Sequence, residues 1–182
     1  MIRLTLFAVL SVPIAWISRW SLRHPASHGF SRFFAFEAVL AVILLNIPHW
    51  FRQPLRPQQL FSWIFLCASL VYVAWGFLLL RRLGGFRPTA EVAPDFGWEK
   101  TGHLVTTGIY RRIRHPMYGS LFLLAWGAVL KAVTAGSLAL GIAASLALFA
   151  TAKAEEAENV RSFGEEYVEY MKRTNRFVPF LL

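Results

Sequence analysis

The sequence predicts an all-α integral membrane protein of about five transmembrane helices, with a helical cofactor site at the cytoplasmic end of its C-terminal half. Three observations predict it. Hydrophobic residues make up 56% of the 182-residue chain and charged residues only 16%, against roughly 25% charged in an ordinary soluble domain. Several apolar runs approach the roughly 20 residues that a bilayer crossing needs. The cations gather in the short connections between those runs. A formal charge of +9 would also fit a nucleic-acid partner. That class is excluded, because the arginines do not lie along one face of a soluble fold. Cys67 stands alone inside an apolar run, so there is no intrachain disulfide, and no Cys/His cluster has the spacing of a metal site.

The elements follow in order. Residues 4–17 form a short first span, extendable to Trp20. Arg19 and Arg23 come directly after it, which favours its retention over cleavage as a signal peptide. Residues 33–50 form the second span and residues 60–80 the clearest one. Residues 83–100 are rich in Gly and Pro and read as a connection. Residues 104–109 are short and β-branched, an extended piece or turn with Gly108 as its bend. Pro116 suits the first turn of the next helix, where its missing N–H costs nothing. Residues 117–130 and 137–152 are the last two spans, joined tightly enough to form an antiparallel hairpin. Small residues Ser137, Gly141, Ala144 and Ser145 permit close helix contact there. The last of these helices continues to Phe163, Gly164 suits a break, and residues 165–171 read as a further amphipathic turn or two. The whole is one membrane domain, residues 1–80 an anchor and residues 100–182 carrying the chemistry.

With five spans the connections alternate sides. One side takes Arg3, Arg52, Arg56 and Lys131; the other takes every remaining Lys and Arg. Positive residues stay cytoplasmic, so the expected N-terminus is outside, the C-terminus is cytoplasmic, and the setting is a bacterial cytoplasmic (inner) membrane.

Two constellations then share the cytoplasmic face. The first is LVTTGIYRRIRHPMYGS, residues 104–120, which concentrates three Arg, one His and two Tyr at the mouth of an apolar helix. Read alone, these cations could simply contact lipid phosphates, and Arg23-His24-Pro25 repeats the RHP string elsewhere. The second is Glu155 and Glu156, with Glu158 nearby, where the last span leaves the membrane. The hairpin brings Arg114, His115 and Tyr118 opposite these acids. Cations, aromatics and carboxylates together suit a ligand with a sulfonium, an amino acid head and a ribose.

The pairing of LVTTGIYRRIRHPMYGS with EEAENVRSFGEEYVEYMKRTNRFVP (residues 155–179) one hairpin later resembles the isoprenylcysteine carboxyl methyltransferase family, and more loosely the related membrane phospholipid N-methyltransferases. The resemblance covers residues 102–179. It implies an integral membrane enzyme that takes a methyl group from S-adenosyl-L-methionine, in a helical fold rather than a soluble dinucleotide-type one. It implies that Gly102, His103, Leu104 and Val105 contact the cofactor, with Leu104 and Val105 as a wall for adenine. It implies the same for Tyr110, for His115, Pro116, Met117 and Tyr118, and for Glu155 with Glu156 beside it. One position departs from the pattern. Thr151 stands where eukaryotic members carry an Arg that places the substrate carboxylate, which leaves Arg114 or Lys153 to supply that charge.

Methyl transfer from a sulfonium is an in-line displacement, for which alignment and exclusion of water are the main requirements. A carboxylate acceptor arrives ionised; an amine or hydroxyl needs a base. Glu37 lies a few residues into the second span, and an intramembrane acid is a functional candidate. It is either on the acceptor's entry path or a structural partner of Arg32. The expected acceptor is lipid-like or prenylated, drawn from among membrane lipids, with no nucleic acid and no metal involved. The alternatives are a phospholipid amine methyltransferase and a non-catalytic transporter or scaffold. A transporter wants charges and broken helices in mid-span, and here only Glu37 enters one.

Overall fold

A lipid-exposed backbone must bond internally, as a helix or a closed barrel, and apolar runs near 20 residues suit the helix. In the computed structural model, residues 1–85 and 102–178 are described. Their helices are α1 (Ile2–Ile17), α2 (Arg19–Leu22), α3 (His28–Asn46), α4 (Pro57–Leu83), α5 (Pro116–Val129), α6 (Ala135–Phe163) and α7 (Glu165–Arg173), with 3-10 turns at Ile47–His49 and Gly108–Arg111. Most of the connection expected at residues 83–100, and Pro179 at the end of the second motif, lie outside the described residues.

Among the described residues, three helices are long and apolar enough to cross a membrane: His28–His49, Pro57–Leu83 and Ala135–Phe163. The two other expected spans are apolar helices of 16 and 14 residues. The second span starts at His28, five residues ahead of the apolar run, because the His28 N–H finds an acceptor in Glu158 of α6 at 3.1 Å. Local signals bound α5 and α6, those at Pro116 and Gly164 as the sequence predicts and the one at Thr134 and Ser137 in addition. Pro116 opens α5. Thr134 and Ser137 bond each other's backbone N–H in a capping box that starts α6. Gly164, at φ +61°, closes α6 in a conformation that L-residues rarely adopt.

α3 packs along α6 and α4 along α5; the two pairs join where α5 meets α6 and α3, and α1 leans on α3. Lipid supplies no hydrophobic drive between helices, so close packing of small residues has to do it. Ala35, Ala125, Ala128, Ala144 and Ala152 are fully buried. A Cβ on Gly141 would sit 2.8 Å from Val129, so this glycine sets how closely α5 and α6 approach. On the outside Leu4, Val12, Ile64, Leu70, Trp75, Ile142 and Leu146 are exposed, the apolar coat that a bilayer requires.

At the end remote from residues 104–118, Asn46 donates to Ala128 O at 2.8 Å and to Ala132 O at 3.2 Å. Ser62 donates to Gly127 O at 2.7 Å and Gln59 to Lys131 O at 2.9 Å. These bonds reach carbonyls of the last turn of α5 (Gly127, Ala128) and of the turn after it (Lys131, Ala132), where a helix leaves its carbonyls unsatisfied. Asn46→Leu keeps the volume and removes two hydrogen bonds that tie α3 to this turn, while Ala128 O keeps the Lys131 N–H and Ala132 O keeps the Ser137 hydroxyl. It is expected to cost about 1–3 kcal/mol, read as a lowered Tm in detergent; an unchanged Tm would show that Asn46 does not hold this end of α5.

Candidate active site

The segment before α5 is shaped by its own apolar residues. Val105, Ile109, Tyr110 and Ile113 form one buried cluster, packed on Tyr72, Leu79 and Leu80 of α4. Gly108 makes the bend at φ +60°, and a Cβ there would clash with the Leu79 side chain, so only glycine fits. The 3-10 turn follows, and the chain then extends beside its own C-terminal segment. Ile113 pairs with Asn175 in a parallel bridge. The Arg114 N–H donates to Asn175 O at 2.8 Å, the His115 N–H to Arg176 O at 3.0 Å, and the Asn175 N–H to Arg112 O at 2.9 Å.

Glu156 ties this arrangement together. Its carboxylate is buried and accepts from Arg114 Nε at 2.8 Å and from Arg176 Nε and Nη2 at 3.1 and 2.9 Å. Arg114 Nη1 also donates to the carbonyls of Met171 and Thr174. One acid on α6 thereby holds the segment before α5, the end of α7 and the C-terminal segment. His115 Nε2 lies 3.5 Å from Glu156 Oε1, long for a hydrogen bond, and its Nδ1 is 3.8 Å from Glu155 Oε1.

Glu155 has a different environment. Its side chain is 30% exposed against 4% for Glu156, and it accepts a hydrogen bond from the Tyr118 hydroxyl. It lines a cavity of about 300 Å³. Around the cavity stand Arg32 and Phe36 of α3, Val73 and Leu80 of α4, Leu104, Val105 and Tyr110, residues 114–118, Ser120 and Leu121 of α5, Asn159 and Phe163 of α6, and Tyr167 and Tyr170 of α7. The His115 ring stacks on Tyr118 with centroids 5.5 Å apart, and its Nε2 is buried without a hydrogen-bond partner.

Four tyrosines face this space. The Tyr170 hydroxyl donates to Tyr110 O at 2.6 Å, which fixes α7 over the 3-10 turn. Burial pushes the phenols of Tyr110, Tyr167 and Tyr170 well above their ordinary value, and for Tyr110 the nearby Glu155 charge adds to it. All three stay protonated at neutral pH, so they serve as donors and ring faces rather than as bases.

The cavity thus gathers Leu104, Val105, Tyr110, Arg114, His115, Pro116, Met117, Tyr118 and Glu155, nine of the residues singled out in the sequence. Gly102 and His103 lie beside it, donating their N–H groups to the carbonyls of Gly85 and Gly84. Lys153 is exposed and Thr151 is buried, its hydroxyl on Ala147 O at 2.8 Å. Glu37 faces α1, where it accepts from Ser11 Oγ at 2.6 Å. The other RHP string is remote in role: His24 stacks on Trp20 and bonds its carbonyl.

Residues 58–166 match the phospholipid methyltransferase family. The chain belongs to that family. The match agrees with the resemblance carried by the two motifs, and it contains Tyr110, His115, Tyr118 and both glutamates. Two curated relatives are methanethiol S-methyltransferases. One, from Pseudomonas deceptionensis, is 25% identical over 157 residues, 76% of this chain and 56% of its own length. The other, methanethiol S-methyltransferase 1 from Bradyrhizobium diazoefficiens, is 29% identical over 72 residues, 40% of this chain and 25% of its own length. The chain therefore spans little more than half the length of the longer match. No solved structure matches it.

Sequence reasoning on this methyltransferase-family chain missed the residues that come from far away: Arg32 and Phe36 from α3, and Tyr167 and Tyr170 from α7. Tyr167 and Tyr170 carried a signal, being three apart on an amphipathic helix. Arg32 carried none beyond its place at the end of a span. Glu156→Gln leaves two guanidinium groups facing a neutral amide. It is expected to destabilise by about 3 kcal/mol and to make the C-terminal segment the first site cut by protease, whereas Glu155→Gln changes Tm little. Equal Tm losses in both variants would show that the two acids are not divided in this way.

Proposed function

We propose that this chain is an S-adenosyl-L-methionine-dependent methyltransferase whose acceptor is lipid-like and reaches the site from the bilayer. Family membership supports methyl transfer. The observation that carries the cofactor reading is the cavity's chemistry: a partly exposed carboxylate at Glu155, a buried His115 Nε2 that makes no hydrogen bond, ring faces from several tyrosines, and an apolar wall at Leu104 and Val105. The donor set fits the cofactor part by part. Glu155 and His115 suit hydroxyl or ammonium groups, tyrosine faces suit a sulfonium, and the apolar wall suits a purine.

When bound, the cofactor supplies an electrophilic methyl group. The residues of this chain bind and orient. The clasp at Glu156 fixes the His115 and Tyr118 rings relative to Glu155, a preorganisation that in-line transfer depends on. α7 lines one side of the cavity with Tyr167 and Tyr170, which at only 2% and 4% exposed keep water from that side. The acceptor's path runs among Phe36, Val73 and Leu121, apolar residues of three different helices. α3 and α4 both line the cavity, and each packs chiefly on a different partner, α3 on α6 and α4 on α5.

The cavity end carries exposed Arg81, Arg82, Arg111 and Arg112, so by charge it faces the cytoplasm, where the soluble cofactor is made. This reading puts the N-terminus outside and the C-terminus inside, in a bacterial inner membrane. Purified protein in detergent is expected to bind S-adenosyl-L-methionine saturably. His115→Ala and Glu155→Ala are each expected to weaken binding about tenfold or more, the loss of a charged or buried hydrogen bond. Well-folded protein that binds none would refute the reading.

A further inference from the structure

The end of the molecule away from the cavity is made of the N-terminus, the turn between α3 and α4, and the connection between α5 and α6. Residues 1–5, 46–60 and 129–137 hold Arg3, Arg52, Arg56 and Lys131 and not one Asp or Glu. Lys131 is 2% exposed, with its Nζ 3.4 Å from the centre of the Trp63 ring and 5.6 Å from that of Trp50. Ring faces meet that charge. The two indoles lie 6.5 Å apart, and the Phe51 ring is 6.0 Å from Trp63. This aromatic box ties the turn to α4 and to the α5–α6 connection. Arg52 and Arg56 remain exposed.

The turn reads WFRQPLRP, residues 50–57, an apolar residue followed by an arginine twice over, four positions apart. Phe51 is 78% exposed and Leu55 82%. Side chains of that size gain by leaving water, and no other part of the described chain covers them. The backbone is suited to a poorly hydrated layer. The N–H groups of Trp50, Arg52 and Arg56 donate to Ile47 O, His49 O and Gln53 O at 3.2, 3.3 and 3.1 Å, and Pro54 and Pro57 carry none. Such a turn can settle among headgroups, though irregular backbone goes no deeper. Indole rings favour the same layer. An end with cations and no acid of its own matches the phosphates found there. A second copy docked through the same patch on a two-fold axis would set cations against cations.

We propose that the turn at residues 50–56 is a phospholipid-binding anchor: Phe51 and Leu55 insert among the acyl chains while Arg52 and Arg56 hold the phosphates above them. The insertion is shallow, about 5–10 Å into the boundary between headgroups and acyl chains. Lys131 takes no part in holding phosphate, being enclosed by Trp50 and Trp63; it fixes the direction in which the turn projects. α4 leads from this turn to Val73 and Leu80 at the cavity. The depth at which the anchor settles therefore sets the depth of the cavity at the other end.

The test uses the full chain in vesicles of phosphatidylcholine with a minor share of phosphatidylglycerol. Cys67, which is exposed, is first replaced by Ser. Phe51→Cys and Leu55→Cys then each carry a nitroxide, with Leu70→Cys on the lipid face of α4 and Glu166→Cys on the outer face of α7 as references. Labels at 51 and 55 are expected to be relaxed by oxygen and shielded from a water-soluble nickel chelate, as at 70 and unlike 166. Labels at both positions that behave like 166 overturn the insertion. Labels at both that are shielded from oxygen and nickel alike place the turn in a protein contact, such as a second copy, and overturn it too. For the phosphates, protein released from equal parts of the two lipids is weighed by native mass spectrometry. The double variant Arg52→Gln/Arg56→Gln is expected to hold phosphatidylglycerol about fivefold more weakly for each arginine lost, and Arg52→Lys/Arg56→Lys to hold it nearly as wild type does. Equal retention by wild type and the Gln variant overturns the phosphate role. Neither readout involves the cofactor, so the outcome is separate from that of the methyltransferase reading.

Discussion

The buried carboxylate of Glu156, held between Arg114 and Arg176, is the constraint on which the cavity end depends. Three polypeptide segments that are distant in sequence meet at its two oxygens. A buried ion cluster is a poor source of net stability, because desolvation offsets most of the attraction. What it supplies here is position. Both arginines must approach one carboxylate along its lone pairs, so the backbone of residues 112–115 can pair with residues 175–176 in only one register. His115 and Tyr118 are oriented by that register, and α7 is drawn across the cavity by the same arginine that bonds its terminal carbonyls.

Helix length explains why there is a cavity for these groups to line. α5 has 14 residues, about 21 Å at 1.5 Å per residue, shorter than a hydrocarbon core of about 30 Å. α6 has 29 residues, about 43 Å, and runs past the point where α5 begins. The missing turns of α5 leave a recess against α6. Pro116 enforces it, since the residue before a proline is driven out of helical conformation, and His115 has ψ +63°. The site is therefore a gap between a short helix and a long one, closed from outside by α7. Its polar groups come from the chain that replaces the missing turns.

Much of this was legible in the sequence, for definite physical reasons. Pro116, Gly108 and Gly164 act on their own backbone, so their effects could be read without tertiary information. Apolar runs announce helices because lipid leaves the backbone no other bonding. The pairing of residues 104–120 with the acids at 155–156 could be read because a short hairpin joins them, and geometry does the rest. What was not legible depended on partners far apart in the chain. His28 begins α3 early because Glu158, some 130 residues on, accepts its N–H. Arg176 looked like one more terminal cation. Arg32 looked like an end-of-span anchor, and only the packing of α3 on α6 turns it into the cavity.

The two adjacent glutamates show how little of a residue's role lies in its type. Consecutive positions on a helix differ by about 100° around the axis, so Glu155 and Glu156 must face different surroundings wherever α6 is placed. One meets two guanidinium groups and becomes part of the frame; the other meets Tyr118 and lines the cavity. Because the Arg114 guanidinium is already taken up by Glu156, Glu155 is left to Tyr118 and the cavity, so two neighbours in sequence act in different places.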